Sequence, residues 1–302
     1  MKAITHDEYG GPEVLQLTEV EEPHAGPGQV RLKVMAAGVN PVDYKIRRGW
    51  MQQMFPVAFP AVPGSEAAGV VDEVGEGVTG ISVGDEVLGS TITGAYAQYA
   101  LATDVAPKPA GLDWASAAAL PVATETSDRV LEALKVTDGE TLLLHGAAGV
   151  VGSVGVQLAV ARGATVIGTA SEANHDYLRS LGAIPVAYGD GLADRVRAAA
   201  PQGIDAVYDA AGHDILKVSI DLRGGTADRI VTVVDPQAGE LGITFSSGIG
   251  RPFGAALAGY ARLAADGRLR VRVDRSLPLA DAARAQELSE AGHARGKLVL
   301  HP

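Results

Sequence analysis

Apolar runs that end in glycine-rich turns dominate the middle of the chain. The run at 142–144 is followed at once by a turn at 146–152 and then by an apolar segment. A short apolar run bounded by turn residues is typical of a buried strand. Three further runs of this kind lie at 165–171, 205–209 and 229–234, with helix-like segments such as 177–181 and 192–199 between them. This alternation predicts an α/β fold with a doubly wound parallel sheet.

The first third of the chain has a different pattern. Residues 30–37 begin with alternating apolar and charged side chains, as a half-buried strand does. Further short strands are predicted at 69–75, 85–89 and 95–100. Frequent glycine and proline at short spacing indicate a small barrel or sandwich.

The pattern changes again near Asp113. Helical segments are predicted at 114–120 and 126–134. Toward the C-terminus, a helix at 254–265 is followed by a strand at 269–273, a helix at 279–291 and a strand at 296–300. We predict a first domain over 1–113, the α/β domain over 114–266, and a tail over 267–302 that returns to complete the first domain.

The turn at 146–152 has the spacing of a dinucleotide-binding motif. Gly146, Gly149 and Gly152 lie three residues apart, between a predicted strand and a predicted helix. The first N–H groups of a helix are unpaired and carry partial positive charge, which suits a pyrophosphate. Glycine makes up 38 of the 302 residues, so the triplet alone is a weak signal. The strand–helix–strand context favours a dinucleotide site over a turn without a ligand.

Composition narrows the class of protein. A length of 302 residues predicts two domains, and a net charge of −11 disfavours nucleic acid and anionic membranes as partners. The chain has no cysteine, which excludes disulfides and thiolate metal sites. The polar, acidic start is unlike a signal peptide, and no apolar run approaches the ~20 residues that span a bilayer. We therefore expect a cytoplasmic protein.

Several segments carry a resemblance to one family. They lie at 1–4, 9–15, 37–49, 63–71, 84–87, 146–152, 180–183 and 295–300. Together they resemble the zinc-free quinone oxidoreductase (zeta-crystallin-like) branch of the medium-chain dehydrogenases/reductases, over nearly the whole chain. The resemblance implies a Rossmann domain plus a GroES-like β-barrel-type catalytic domain. One departure is Val150, which stands where the branch usually has a glycine, so that its β-carbon must fit near the pyrophosphate.

The residues argue against a metal site. Zinc-dependent members of the superfamily place a histidine where this chain has Ser65, in Gly64-Ser65-Glu66, and serine is a poor zinc ligand. The seven histidines are scattered without metal-ligand spacing. Without a Lewis acid, polarising an alcohol for oxidation is difficult. The chemistry is therefore expected to run from NADPH onto an electron-poor acceptor.

Three functions stay open at this point. The first is NADPH-dependent reduction of quinones, and the second is reduction of the C=C bond of α,β-unsaturated carbonyls. Either substrate would be a small, apolar, planar electron acceptor. The third, from another class, is a catalytically idle NADPH-binding sensor or structural protein.

The choice of NADPH depends on the residues after the second strand. Ser171 stands where an acidic residue would bind the ribose of NADH, and the resemblance gives it a role at the 2′-phosphate. His175 follows it, at a position where many relatives have a lysine nearby, and Tyr188 stands where relatives place an aromatic ring. Glu172 argues for NADH, unless it is a solvated carboxylate at a helix N-terminus.

Asn40 and Tyr44 are the predicted catalytic residues. Asn40 can hydrogen-bond a carbonyl or the cofactor ribose, and the Tyr44 phenol can donate to a developing oxyanion. Asn40 can equally be a turn residue before Pro41, and Tyr44 can be packed with a wet hydroxyl. Asp43 is expected to be structural, holding Arg47 or the loop.

The remaining site predictions are mostly implied by the resemblance. The predicted cofactor-binding residues are Thr126, Gly146, Ala147, Gly149, Val150, Val151, Gly152, Ser171, His175, Tyr188, Ala211, Gly212, Val233, Phe245 and Lys297. Thr126 has a second interpretation as the hydroxyl of a helix start. The apolar side chains at 50–55 are expected to be core or lid packing, with an acceptor pocket as the alternative. An edge strand at 241–245 could pair across a two-fold axis, so a homodimer is expected.

Overall fold

The computed structural model describes residues 1–212, 214–248, 251–292 and 294–302. Its strands are β1 (Lys2–Thr5), β2 (Gln16–Glu19), β3 (Val30–Val39), β4 (Glu66–Val74), β5 (Glu86–Thr91), β6 (Tyr99–Pro107), β7 (Thr141–His145), β8 (Thr165–Ala170), β9 (Ile184–Ala187), β10 (Ala206–Asp209), β11 (Ile230–Thr232), β12 (Thr244–Phe245), β13 (Val273–Pro278) and β14 (Lys297–His301). Its helices are α1 (Pro41–Arg47), α2 (Trp114–Ala118), α3 (Pro121–Ala133), α4 (Val150–Ala161), α5 (His175–Ser180), α6 (Leu192–Ala199), α7 (Leu216–Leu222), α8 (Gly254–Ala265) and α9 (Ala282–Glu290). Short 3-10 turns lie at Pro12–Val14, Glu172–Asn174, Pro236–Leu241 and Leu279–Asp281.

The chain forms two compact units. The first consists of Met1–Val122 and Pro252–Pro302, and the second of Ala123–Arg251. The predicted segment 114–266 extends beyond the second unit at both ends. The reason is that α2 packs against β3 and β4, and α8 packs against β6, so both helices belong to the first unit.

A closed barrel forms the centre of the first unit. Strand β3 pairs with β4 along one edge and with β6 along the other, and β5 joins β4 to β6. The end of β3 continues past the barrel and pairs with β14, which in turn pairs with β13. Apolar side chains fill the barrel, among them Leu32, Val71 and Val87. The predicted GroES-like barrel type is confirmed.

Two predicted strands of this unit are wrong in position. The strand predicted at 269–273 is β13, at Val273–Pro278, because the Leu269 N–H bonds to the Leu263 carbonyl and closes the turn after α8. Of the strand predicted at 95–100, only the last two residues belong to β6. The N–H groups of Ala95 and Tyr96 instead bond to the Pro63 carbonyl.

The second unit is a doubly wound α/β domain, as predicted. Its six strands are parallel and lie in the order β12-β11-β10-β7-β8-β9. From β7 the chain adds β8 and β9 on one side of the sheet, and then β10, β11 and β12 on the other side. The switch point of the strand order therefore lies between β7 and β10. In open α/β sheets, ligands bind at the carboxyl ends of the strands at this switch point. Buried apolar residues such as Leu143, Ile167 and Val207 form the core.

None of the helices in the described ranges is both long and apolar enough to span a bilayer.

Candidate functional site

The glycine-rich turn lies between β7 and α4, at the switch point of the sheet. Gly146 has a φ of 72°, which favours glycine, and Gly149 is the extended N-cap of α4. The first bond within the helix joins the Ser153 N–H to the Gly149 carbonyl at 2.8 Å. The N–H groups of Val150, Val151 and Gly152 therefore have no partner within the helix, which is the arrangement that binds anions.

The backbone of the turn packs tightly against its neighbours. A β-carbon on Gly152 would lie 2.2 Å from the Gly146 carbonyl oxygen and 2.9 Å from the Ala147 Cα. The Ala147 N–H bonds to the Thr169 carbonyl at 3.1 Å, which fixes the turn to β8. The close approach fits a turn that receives a pyrophosphate on its backbone. Val150 is accommodated as the first, half-buried residue of α4.

The other predicted residues of this unit gather at the same edge of the sheet. Ser171 follows β8, Tyr188 follows β9, Ala211 and Gly212 follow β10, Val233 follows β11, and Phe245 ends β12. Since parallel strands end at one edge, all of these lie along the edge that carries the turn. Thr126 lies within α3, which begins at Pro121. Its interpretation as the hydroxyl of a helix start is therefore wrong.

Asp209 shapes the edge of the sheet, and the sequence analysis missed it. It is fully buried, and its Oδ1 accepts the N–H groups of Ala211 at 2.8 Å and Gly212 at 2.9 Å. Its Oδ2 accepts the Thr232 hydroxyl at 2.7 Å. One carboxylate thus fixes the backbone after β10 and the end of β11. The available signal was an acidic residue at the last position of an apolar strand.

The residues predicted for the 2′-phosphate lie beside one another. Ala170 pairs with Ala187, so the residues that follow them, Ser171 and Tyr188, extend from neighbouring strands. The Ser171 hydroxyl accepts the Asn174 side-chain N–H at 3.1 Å. Among the described residues, the buried His175 Nε2 has no hydrogen-bond partner. Small polar groups and an unpaired imidazole nitrogen fit a phosphate-bearing ligand.

His145, the last residue of β7 before the turn, is held by two side-chain hydroxyls. Its ring nitrogens lie 3.2 Å from the hydroxyls of Thr169 and Ser219. Burial lowers its pKa to about 4, so the imidazole is neutral at pH 7. A neutral, doubly hydrogen-bonded ring is a structural contact between β7, β8 and α7.

In the first unit, Asn40 begins α1 but turns its side chain into the interior. Its Nδ2 donates to Glu66 Oε1 at 2.7 Å, and its Oδ1 accepts from Lys297 Nζ at 2.6 Å. Lys297 and Glu66 also form an ion pair. Their exposed fractions are 5% for Asn40, 0% for Glu66 and 1% for Lys297. Asn40 is therefore the turn residue before Pro41 and also part of a buried polar cluster.

Asp43 holds the loop and does not contact Arg47. Its Oδ2 accepts the Asn40 N–H and the Tyr96 hydroxyl, each at 2.8 Å, whereas Arg47 pairs with Glu290 at 3.0 Å. Burial raises the pKa of the Asp43 carboxyl to about 6, although both hydrogen bonds favour the charged form. Burial and the neighbouring Asp43 also raise the pKa of Tyr96.

Tyr44 is half-buried on α1, and its ring meets Trp50 edge to face at a centroid distance of 6.2 Å. Burial, and to a smaller extent Glu290, raises the pKa of the Tyr44 phenol. Trp50 is 66% exposed and Met54 is 38% exposed. The prediction that Trp50 and Met54 pack in the core is therefore wrong, because both side chains are exposed. An exposed apolar ring beside a protonated phenol suits a planar acceptor.

A zinc site requires a group of ligating side chains close together. No three His, Asp or Glu side chains lie together with metal-site geometry in the described ranges. Glu66, next to Ser65, is instead engaged by Asn40 and Lys297.

Comparison with known proteins gives two family matches, and the second match extends from the second unit into the C-terminal part of the first. The family described as "Alcohol dehydrogenase GroES-like domain" matches residues 26–110, and the family described as "Zinc-binding dehydrogenase" matches residues 181–300. The chain is 33% identical to the 2-methylene-furan-3-one reductase of Solanum lycopersicum, over all of this chain and 79% of that protein. It is 43% identical to the quinone oxidoreductase of Rattus norvegicus, over 56% of this chain and 53% of that protein. The structure of the Escherichia coli quinone oxidoreductase in complex with NADPH superposes with a TM-score of 0.87 at 28% identity, covering all of both chains.

The raised pKa of Asp43 predicts how stability depends on pH. The folded value of about 6 lies above the ordinary value of 3.8, so the folded protein binds this proton more tightly than the unfolded chain does. Stability contributed by this group is full below pH ~4 and is lost as the pH rises through ~6. Asp43→Asn keeps an oxygen for both donors and carries no charge. We expect urea unfolding at pH 7.5 to show the variant more stable by about 2–3 kcal/mol, with a smaller gain at pH 4.5.

The control is Asp176→Asn, which changes an exposed aspartate on α5 and should leave the pH dependence as it is. A pH dependence of stability that is identical in Asp43→Asn and the unaltered protein would contradict the assignment.

Proposed function

The chain belongs to the quinone oxidoreductase branch of the medium-chain dehydrogenase/reductase superfamily, and we propose that it reduces quinones without a metal ion. It is an NADPH-dependent oxidoreductase. The observation that carries the proposal is the turn at the switch point of the parallel sheet. Its backbone has no room for a side chain at Gly152. The first turn of α4 has three N–H groups that lack a hydrogen-bond partner within the helix.

The second unit supplies the residues for the cofactor, which when bound provides the hydride. The N–H groups of Val150, Val151 and Gly152, with the turn formed by Gly146, Ala147 and Gly149, would bind the pyrophosphate. Ser171, His175 and Tyr188 would bind the 2′-phosphate and the adenosine. Thr126, Ala211, Gly212, Val233 and Phe245 would line the remainder of the groove. Lys297, the remaining predicted cofactor-binding residue, belongs to the first unit.

The first unit supplies the groups for the acceptor. The Tyr44 phenol is protonated at neutral pH, in agreement with the raised direction of its pKa, so that it can donate to the oxygen that gains charge as hydride arrives. Asn40 has one N–H left to donate, because its other N–H is bound to Glu66. Trp50 offers an apolar ring to a planar acceptor.

Reduction of an enone is the second candidate. It is favoured by the identity to the tomato 2-methylene-furan-3-one reductase, which extends over the whole of this chain. Hydride addition to the C=C bond places negative charge on the carbonyl oxygen, and the same Tyr44 phenol would stabilise it. The catalytically idle alternative rests on Val150, which stands where the resembled branch usually has a glycine.

We further propose a cytoplasmic homodimer. The absence of cysteine fits a reducing compartment. Among the described strands, β12 lies at the edge of its sheet, and a second copy would pair with its outer side across a two-fold axis.

The function is tested by mixing the protein with NADPH and a panel of small quinones and enones, and by following the nicotinamide absorbance. We expect oxidation of NADPH with quinones and slower or no oxidation with enones. Faster turnover of enones would select the second candidate. Tight NADPH binding without turnover of any acceptor would select the idle protein and contradict both enzymatic functions.

The role of Tyr44 is tested by Tyr44→Phe. Loss of the phenolic donor should lower kcat about tenfold or more and leave the dissociation constant of NADPH unchanged. Tyr99→Phe, on the barrel strand β6, serves as the control and should keep full activity. An unchanged kcat in Tyr44→Phe would remove this residue from the mechanism.

A further inference from the structure

Glu66 is a buried carboxylate that none of the roles above explains. It is the first residue of β4, and both of its oxygens are engaged. Oε1 accepts Asn40 Nδ2 at 2.7 Å and pairs with the Lys297 ammonium, while Oε2 accepts the Val122 N–H at 2.7 Å. Val122 lies in the first turn of α3, the helix that carries Thr126. Three donors from three separate segments thus converge on one side chain.

The surrounding backbone makes room for this carboxylate. A β-carbon on Gly38 would lie 2.3 Å from Glu66 Oε1 and 2.8 Å from the Ala118 carbonyl oxygen. A buried charge is tolerated when it is paired and hydrogen-bonded, and Glu66 meets both conditions. Removing its charge alone would leave Lys297 as a buried cation without its counter-ion.

The contacts of Glu66 fix the orientation of the Asn40 amide. Nδ2 faces the carboxylate and Oδ1 faces the ammonium of Lys297. A flipped amide would turn its oxygen toward the carboxylate and its NH₂ toward the ammonium, and both contacts would be repulsive. The amide therefore holds one orientation, in which a single Nδ2 hydrogen remains to donate to an oxygen on a ligand.

We propose that Glu66 is a positioning residue for hydride transfer, acting through Asn40. It orients the one free Asn40 N–H toward an oxygen acceptor of the bound NADPH or of the electron acceptor, and it holds the Lys297 ammonium in place. This inference rests on the proposed function, because the ligand is the one that function requires.

Glutamine cannot replace this carboxylate. The side chain must accept from Asn40, Lys297 and the Val122 N–H, and an amide offers one oxygen and one NH₂ group in place of two oxygens. In Glu66→Gln, the new NH₂ group therefore faces at least one of the three groups that donate to Glu66, and that hydrogen bond is lost. A misplaced Asn40 should weaken ligand binding or the chemical step, since small displacements at a reacting centre lower rates strongly.

The test is a double-variant cycle with Glu66→Gln, Asn40→Ala and both together. The dissociation constant of NADPH is measured by fluorescence titration without an acceptor, and kcat and KM are measured with the best quinone or enone. We expect each single variant to lose about tenfold or more in one of these constants. If Glu66 acts through Asn40, the double variant should be within about twofold of the weaker single variant. A change in the dissociation constant of NADPH indicates that the free Asn40 N–H donates to the cofactor. A change in KM or kcat indicates that it donates to the electron acceptor.

The matched control is Asp72→Asn on the same strand. It removes an ion pair with Arg31, at 2.9 Å, that has no link to Asn40. This variant should leave all three constants within about twofold of the unaltered protein. If Glu66→Gln fails to fold, Glu66→Asp tests the same point, because it keeps the charge but is too short to reach both Asn40 and Val122.

Two results would overturn the proposal. One is a set of constants for Glu66→Gln that matches those of Asp72→Asn, and the other is losses that multiply in the double variant. A failure of the proposed function is distinct, because it would already be visible in the unaltered chain, as absent NADPH binding or as absent turnover of every quinone and enone, and it would remove this role for Glu66 as well.

Discussion

The close approach of α4 to the turn before it is the constraint on which the second unit depends. A β-carbon at Gly152 would collide with the Gly146 carbonyl oxygen, so the helix can lie where it does only with a hydrogen at that position. This position brings the unpaired N–H groups of the first helical turn to the carboxyl edge of the sheet. Asp209, from the neighbouring strand, fixes the backbone at Ala211 and Gly212 along the same edge. The edge is thus formed by backbone atoms held rigidly, which is the requirement for binding a phosphate without a dedicated cation.

The first unit contains several buried polar and charged side chains. Glu66, Asn40 and Lys297 satisfy one another, and Asp43 is held by Tyr96 and by the start of α1. Glu66 and Lys297 are paired with each other, whereas at Asp43 the effect of burial outweighs that of the two hydrogen bonds. Zinc-dependent relatives use a metal ion to polarise their substrate, whereas this chain has no cysteine and places Ser65 where such relatives have a ligand. In the proposed mechanism, hydrogen-bond donors, above all the Tyr44 phenol, would stabilise the negative charge that develops on the acceptor.

Local sequence patterns predicted much of the second unit and less of the first. The glycine spacing at 146–152 and the apolar runs identified the turn and the strands, because both depend on neighbouring residues. The position of β13 was missed, since Leu269 belongs to the turn that closes α8. The interpretation of Thr126 as a helix start failed because α3 begins earlier, at Pro121. Glu66 and Asp209 were missed because their importance lies in contacts between segments far apart in the chain, which no local pattern reveals.

The dissociation constant of NADPH for Gly152→Ala tests the central claim most directly. Gly155→Ala is the matched control, because it adds a methyl group to the same helix but its nearest neighbours are atoms of the Tyr208 and Leu144 side chains, at 3.0 and 3.1 Å, and not backbone atoms. If the turn binds the pyrophosphate, Gly152→Ala should weaken NADPH binding by about tenfold or more while circular dichroism shows a retained fold, and Gly155→Ala should bind nearly as well as the unaltered protein. Equal NADPH affinity in Gly152→Ala and the unaltered protein would contradict the account.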